Sequence, residues 1–204
     1  MKKFVLLSLM VISGFALSAC QFGQEDSDNT VTVYSERHYE TDRELFDRFT
    51  ELTGITVNLV RDGADQLITK LENEGEDSPA DLLIIADAGR LHRAKTKDLL
   101  QSVESSVLDT NVPDNYKDTE NTWFGLTKRA RVIVYHPERV DESELSTYEA
   151  LTDAKWEGRV VVRTSTNIYN QSLMASFIEV MGEEAARNFA RGLANNFART
   201  PQGN

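Results

Sequence analysis

The hydrophobic pattern opens with alternation. Val31 and Val33 alternate with Thr32 and Tyr34 in a β-branched, aromatic run, which predicts a strand over 31–34. The period then changes. Thr41 with Glu44 three residues later reads as a capping box, and Leu45, Phe46, Phe49 and Leu52 follow at helical spacing, with Gly54 as a stop. Residues 55–60 alternate again and predict a second strand. A turn over 61–64 leads into a helix over 65–74 with Leu67, Ile68 and Leu71 inward, stopped at Gly75. After the break at Ser78 and Pro79, residues 81–86 form a near-continuous apolar run. That is the pattern of a central parallel strand buried on both faces. A helix carrying Leu91 and Ala94 follows. The order β-α-β-α-β-α predicts an α/β fold with an open parallel sheet and helices on both faces.

The pattern weakens over 102–121, which is polar, contains Pro113 and is expected to be irregular. Strands are expected at 123–126 and 131–135, with a hinge or crossover over 127–135. A short helix over 145–151, a turn at Trp156, Glu157 and Gly158, and a strand over 159–163 then begin a second α/β unit. A polar loop over 164–167 places Tyr169 at the mouth of a helix with Leu173, Met174, Phe177, Ile178 and Met181 as its apolar stripe. Gly182 ends it, and 183–195 is a further helix with Ala186, Phe189 and Leu193 inward. The expected organisation is a first lobe over 31–126, a hinge over 127–135 and a partial second lobe over 136–204. Beyond the hinge the pattern supplies one good strand. One strand cannot pair its own backbone groups, so the second lobe is expected to be incomplete.

The first 20 residues stand outside this pattern. Lys2 and Lys3 precede an apolar run over 4–17, too short for an ordinary membrane span, and Leu17, Ser18, Ala19 and Cys20 close it. Small residues directly before the sole cysteine resemble a bacterial lipobox, in which that cysteine becomes the lipidated first residue of the mature protein. Residues 1–20 are therefore expected to be a lipoprotein signal peptide. Residues 21–30, polar and acidic, are expected to be a tether. With Cys20 lipidated, no thiol remains for a disulfide, and packing alone must hold the exported domain.

Charge narrows the partners. The formal net charge is −11, and removing Lys2 and Lys3 leaves 20 basic against 33 acidic residues. Such a surface argues against nucleic acid and anionic lipid as partners, so any membrane association is expected only through the lipid anchor. The chain has no Gly-x-Ser-x-Gly, no His-x-x-x-His and no thiol after Cys20, so no nucleophile or zinc signature of an enzyme is present.

His38 and Tyr39 lie in the loop between the first strand and the first helix, where open α/β sheets bind ligands. Two readings of the pair are open: a loop hydrogen-bonding pair, and a metal site. A hard, highly charged cation such as ferric iron prefers oxygen donors. A phenol must lose its proton to ligate, and a neighbouring positive charge helps it do so. Arg37, Arg129, Arg131 and Arg163 flank the candidate loops or the hinge, and Arg129 is the candidate for that cation. A binding site for an organic cation such as thiamine or a polyamine would instead need aromatic walls and carboxylates, for which Trp123 and Asp87 are available. His92 and His136 have no cluster around them, and Tyr34, Tyr116, Tyr135 and Tyr148 read as structural.

Four blocks in order, YSERHY, SPADLLIIADAGRL, WFGLTKRARVIVY and TSTNIYNQSL, resemble the periplasmic ferric-iron-binding proteins of bacterial ABC transporters, in the subgroup whose iron site combines histidine with tyrosines. The resemblance runs from about Val31 to Asn204. It implies a type II periplasmic-binding-protein-like fold, with two α/β lobes, a hinge and ligand in the cleft. It implies a periplasmic or extracytoplasmic binding protein that captures iron, ferric or ferrous, and delivers it to a permease in the inner membrane. By motif the family's ligands fall on His38, Tyr39 and Tyr169. The family adds two adjacent tyrosines further along, and this sequence has no Tyr-Tyr pair. The site it spells is therefore incomplete, and a fragment that binds nothing is the remaining alternative.

Overall fold

β1 (Thr30–Ser35) is the best-buried element of the sheet. Thr32, Val33, Tyr34 and Ser35 are all buried, Val33 to 1% exposure. The reason is its place. The computed structural model describes residues 29–203, and within them a three-stranded parallel sheet has the order β2-β1-β3, with β2 at Thr56–Arg61 and β3 at Leu82–Ile84. Val33 stands opposite Leu59 on one side and Leu82 on the other. The expected signal peptide, Cys20 and most of the expected acidic tether lie outside the described residues.

The apolar run at 81–86 is thus not the central strand. β3 is an edge among the described residues, shortened to Leu82–Ile84, with Leu82 52% exposed. Apolar composition reports what covers a strand's faces and says nothing of what pairs with its edges. The strand is anchored through Asp81, whose backbone N–H donates to Thr32 O at 2.9 Å and whose carboxylate accepts from Thr32 N at 2.7 Å.

α1 (Glu40–Thr53) also starts differently from expectation. Its N-cap is Tyr39, which makes no side-chain cap, and the Thr41–Glu44 capping box does not form. The entry is fixed by a charged fork instead. Arg37 Nε and Nη2 donate to the two Asp42 carboxylate oxygens at 3.0 and 2.8 Å, while Asp42 N donates to Tyr39 O. The guanidinium's hydrogen bonds hold the Asp42 carboxyl below its ordinary range. Gly54 ends the helix at φ 74°, in the left-handed region that suits glycine. α2 (Ala64–Glu74) follows the sequence pattern closely: Ala64, Leu67, Ile68 and Leu71 are buried, the i, i+3, i+4, i+7 stripe of an amphipathic helix.

The described residues fall into two compact units. One runs to Leu67 and takes up Glu76–Ile84; the other holds Ile68–Gly75 and everything from Ile85 on. In the second unit α3 is Ala88–Lys95. The stretch expected to be irregular contains α4 (Ser106–Asn111), capped by the Ser105 hydroxyl, and a 3-10 turn at Asp114–Tyr116. Asp118 braces the segment that follows. Its carboxylate accepts from Lys95 Nζ at 2.8 Å and Thr122 Oγ1 at 2.7 Å, and Lys95, with help from Thr122, holds the group down to about 2. A depressed carboxylate stabilises the fold above its unfolded value of about 4, and this contribution is lost as pH falls through the folded value. Asp118→Asn is therefore expected to lower stability at neutral pH, with the gap from wild type closing between about pH 4 and pH 2. A carboxyl carbon NMR titration that finds Asp118 at its ordinary value contradicts this.

The strands expected at 123–126 and 131–135 do not form. Phe124 makes one isolated antiparallel bridge, to Lys117, and the 131–135 segment has no strand pairing among the described residues, with Val134 86% exposed. Strand propensity cannot make a strand where no backbone partner is at hand. The helix expected at 145–151 is replaced by 3-10 turns at Glu142–Glu144, Glu149–Thr152 and Ala154–Trp156. The strand expected at 159–163 reduces to two parallel bridges, Val160 with Phe197 and Arg163 with Gln202. α5 (Ile168–Met181) and α6 (Glu183–Asn195) pack on each other, with Gly182 between them at φ 84°. Phe177 meets Phe189 edge-on at 4.8 Å and Tyr148 at 5.3 Å. Gly192 sits inside α6, where glycine ordinarily weakens a helix. A Cβ there would fall 2.9 Å from Thr152 Cβ, so the close approach of the 3-10 turn explains it. Buried Asn196 completes this core by donating from Nδ2 to Leu151 O and Asp153 O at 2.8 and 2.9 Å.

Candidate metal centre

Tyr169 lies in the first turn of α5, and its position is fixed from several directions. Asn167 caps the helix by accepting from Tyr169 N at 3.1 Å. Asn170 Nδ2 donates to Arg163 O at 2.7 Å and Thr164 O at 3.1 Å, tying the helix start back to the incoming chain. The Thr164 and Thr166 hydroxyls bond each other at 2.7 Å. The polar loop is thus a brace that holds the half-buried tyrosine where it is.

Two guanidinium groups converge on that ring. Arg129 Nη1 donates to Tyr169 Oη, and its guanidinium carbon lies 5.2 Å from the ring centroid. Arg131 lies over the same ring at 4.2 Å. Hydrogen bonds to an ionised acceptor are roughly twice as strong as neutral ones, so the Arg129 contact is strongest when the oxygen bears negative charge. The sequence offers Arg131 only as one of four flanking arginines, of which Arg129 is the one chosen.

In the other unit, His38 and Tyr39 stand side by side after β1. Their rings stack at 5.2 Å with an interplanar angle of 21°, and the Arg37 guanidinium lies 5.3 Å from the Tyr39 ring. Tyr39 is 47% exposed and His38 is exposed. The structure therefore brings His38 to Tyr39 and Arg129 to Tyr169. Among the described residues no group of three or more His, Cys, Asp or Glu side chains is placed to hold a metal ion. Asp87, the carboxylate considered for an organic cation, is engaged: its Oδ1 accepts from Gly89 N at 2.9 Å and from Ser172 Oγ at 2.7 Å. No helix of the described residues is long and apolar enough to cross a membrane.

Residues 77–202 match the family profile of the bacterial extracellular solute-binding proteins, and the chain belongs to that family. Among its relatives is iron uptake protein A1 of Synechocystis, 51% identical over 174 residues, which are 85% of this chain and 48% of that protein. Among solved structures, the Trichodesmium protein IdiA (FutA) in complex with iron and citrate ligands aligns with a TM-score of 0.81 at 50% identity, over 86% of this chain and 55% of that one. The ferric binding protein from Campylobacter jejuni aligns with a TM-score of 0.79 at 40% identity, over 85% and 55%. The fold is thus the α/β fold of periplasmic binding proteins, as the sequence reading expected. The chain spans about half the length of the relatives it matches.

Proposed function

We propose that the protein is a binding component of an ABC transporter, not an enzyme, and that it captures ferric iron outside the cytoplasm and delivers it to the membrane permease. The observation that carries this reading is Tyr169, held in the first turn of α5 with Arg129 donating to its oxygen. The likeness to proteins named for iron uptake and ferric iron binding supports it. In this reading His38, Tyr39 and Tyr169 ligate the iron, the first two from the lobe over 31–126 and the third from the lobe over 136–204, about a hinge at 127–135. Arg129 balances the tyrosinate charge. Phenolate oxygen suits a hard trivalent ion, as it does haem iron held by tyrosine. Ligation requires the phenols to lose their protons and the imidazole to be neutral, so affinity falls as pH falls. Titration with ferric iron tests the reading. Tyrosinate coordination produces a visible charge-transfer band, whereas an organic cation such as thiamine produces none.

The reading also takes Cys20 as a lipidation site that anchors the protein at the extracytoplasmic face of a membrane. More than one acyl chain is needed for stable anchoring. Cys20→Ser is expected to move the protein from the membrane fraction to the soluble fraction of cells. Retention of the variant in the membrane at the wild-type level contradicts the anchor.

A further inference from the structure

Asp87 follows β3 with φ 84° and ψ 127°. Two other described non-glycine residues have positive φ, Asp98 at 57° and Asn121 at 56°, and both values suit the left-handed helical region that Asp and Asn tolerate. Asp87 lies well beyond that region in φ, with ψ far above it. Strain of this kind persists only where surrounding contacts over-determine it, and it marks positions where geometry is being imposed. The contacts are identifiable. Asp87 O accepts from Arg90 N and Leu91 N, and its Oδ1 accepts from Gly89 N, which together cap α3. An ordinary N-cap in extended backbone would do as much without strain. What the strained conformation adds is the second bond to the same oxygen, from Ser172 Oγ at 2.7 Å, 85 positions along the chain.

Ser172 lies three residues after Tyr169 on α5, on the neighbouring turn of the same face. The loop after β3 is therefore tied to the helix turn that presents the phenol. We propose that Asp87 and Ser172 are a positioning pair that sets where α5 presents Tyr169. The proposal rests on the reading of Tyr169 as an iron ligand. Neither residue is required to touch the metal. Asp87 acts through Ser172, and Ser172 acts through one helical turn.

Ser172→Ala removes the tie and leaves the Asp87–Gly89 cap in place; Ser172→Thr keeps a hydroxyl. Ferric-iron affinity should fall about tenfold in Ser172→Ala, the loss typical of removing a group that orients a metal ligand, with a shifted charge-transfer maximum. Ser172→Thr should restore both. A purely structural role would lower the denaturation midpoint and leave affinity and band unchanged, and that result overturns the proposal. A second arm needs no iron. In the iron-free protein labelled with ¹³C-tyrosine, the Tyr169 ring signal, assigned by its loss in Tyr169→Phe, should move in Ser172→Ala and return in Ser172→Thr. An unmoved signal overturns the pair. A signal that moves in a protein whose wild type shows no iron band upholds the pair and overturns the iron reading alone.

Discussion

Phe189→Ala is expected to destabilise the protein by about 3–5 kcal/mol, the range for truncating a buried aromatic side chain. Phe189 is buried on the face of α6 turned toward α5 and meets Phe177 edge-on, and Phe177 in turn meets Tyr148. Truncation removes the ring's buried area, leaves a cavity the flanking helices can only partly close, and loses an edge-to-face contact worth about 0.5–1.5 kcal/mol beyond area. In the proposed reading the effect also reaches iron binding, because α5, which Phe189 helps to seat, carries Tyr169 in its first turn. Urea denaturation measures it. A loss under about 1 kcal/mol would place Phe189 among surface residues, where substitutions have small effects, and would contradict the packing described above.

The same contrast between local and distant causes explains how far the sequence can be read. The α2 stripe at Ala64, Leu67, Ile68 and Leu71 is legible because a helix satisfies its own backbone, so periodicity alone reports which face is buried. β1 is legible as a strand for its alternation, and Gly54, Gly75 and Gly182 as stops because their positive φ favours glycine. Strand order is not legible. The 81–86 run is as apolar as a central strand, yet among the described residues β3 pairs only with β1. The 131–135 segment has strand composition and no backbone partner among the described residues. A ladder belongs to two segments, and the sequence of one does not contain the other. The start of α1 fails for a different reason. A fork between Arg37 and Asp42 outcompetes the capping box that Thr41 and Glu44 spell.

For the site, spacing alone could place Tyr169 at a helix mouth but could not pair it with Arg129, 40 positions earlier. The resemblance of four motif blocks to a known family supplied the choice of residues, and side-chain geometry then supplied the contact. Arg131 fell outside the choice because one cation beside a phenol was expected and two are present. The Asp87–Ser172 bond is beyond any local reading, since neither residue has a pattern that points to the other.

The second large effect is on the iron itself. Tyr169→Phe removes one oxygen and keeps the ring, so the stacking of Arg131 survives while the proposed ligand is lost. Loss of that bond should weaken ferric-iron binding by at least about tenfold, or ~1.4 kcal/mol. The effect should be larger at neutral than at acidic pH, where protons already compete for the wild-type ligands. Arg129, left without its phenol acceptor, is solvent-exposed, so the variant should fold with near wild-type stability. The most direct measurement is a visible-absorption titration of wild type and Tyr169→Phe with ferric iron in parallel. The account predicts a charge-transfer band that grows to saturation in the wild type and is lost or strongly weakened in the variant. An identical band with identical affinity in both proteins would contradict it.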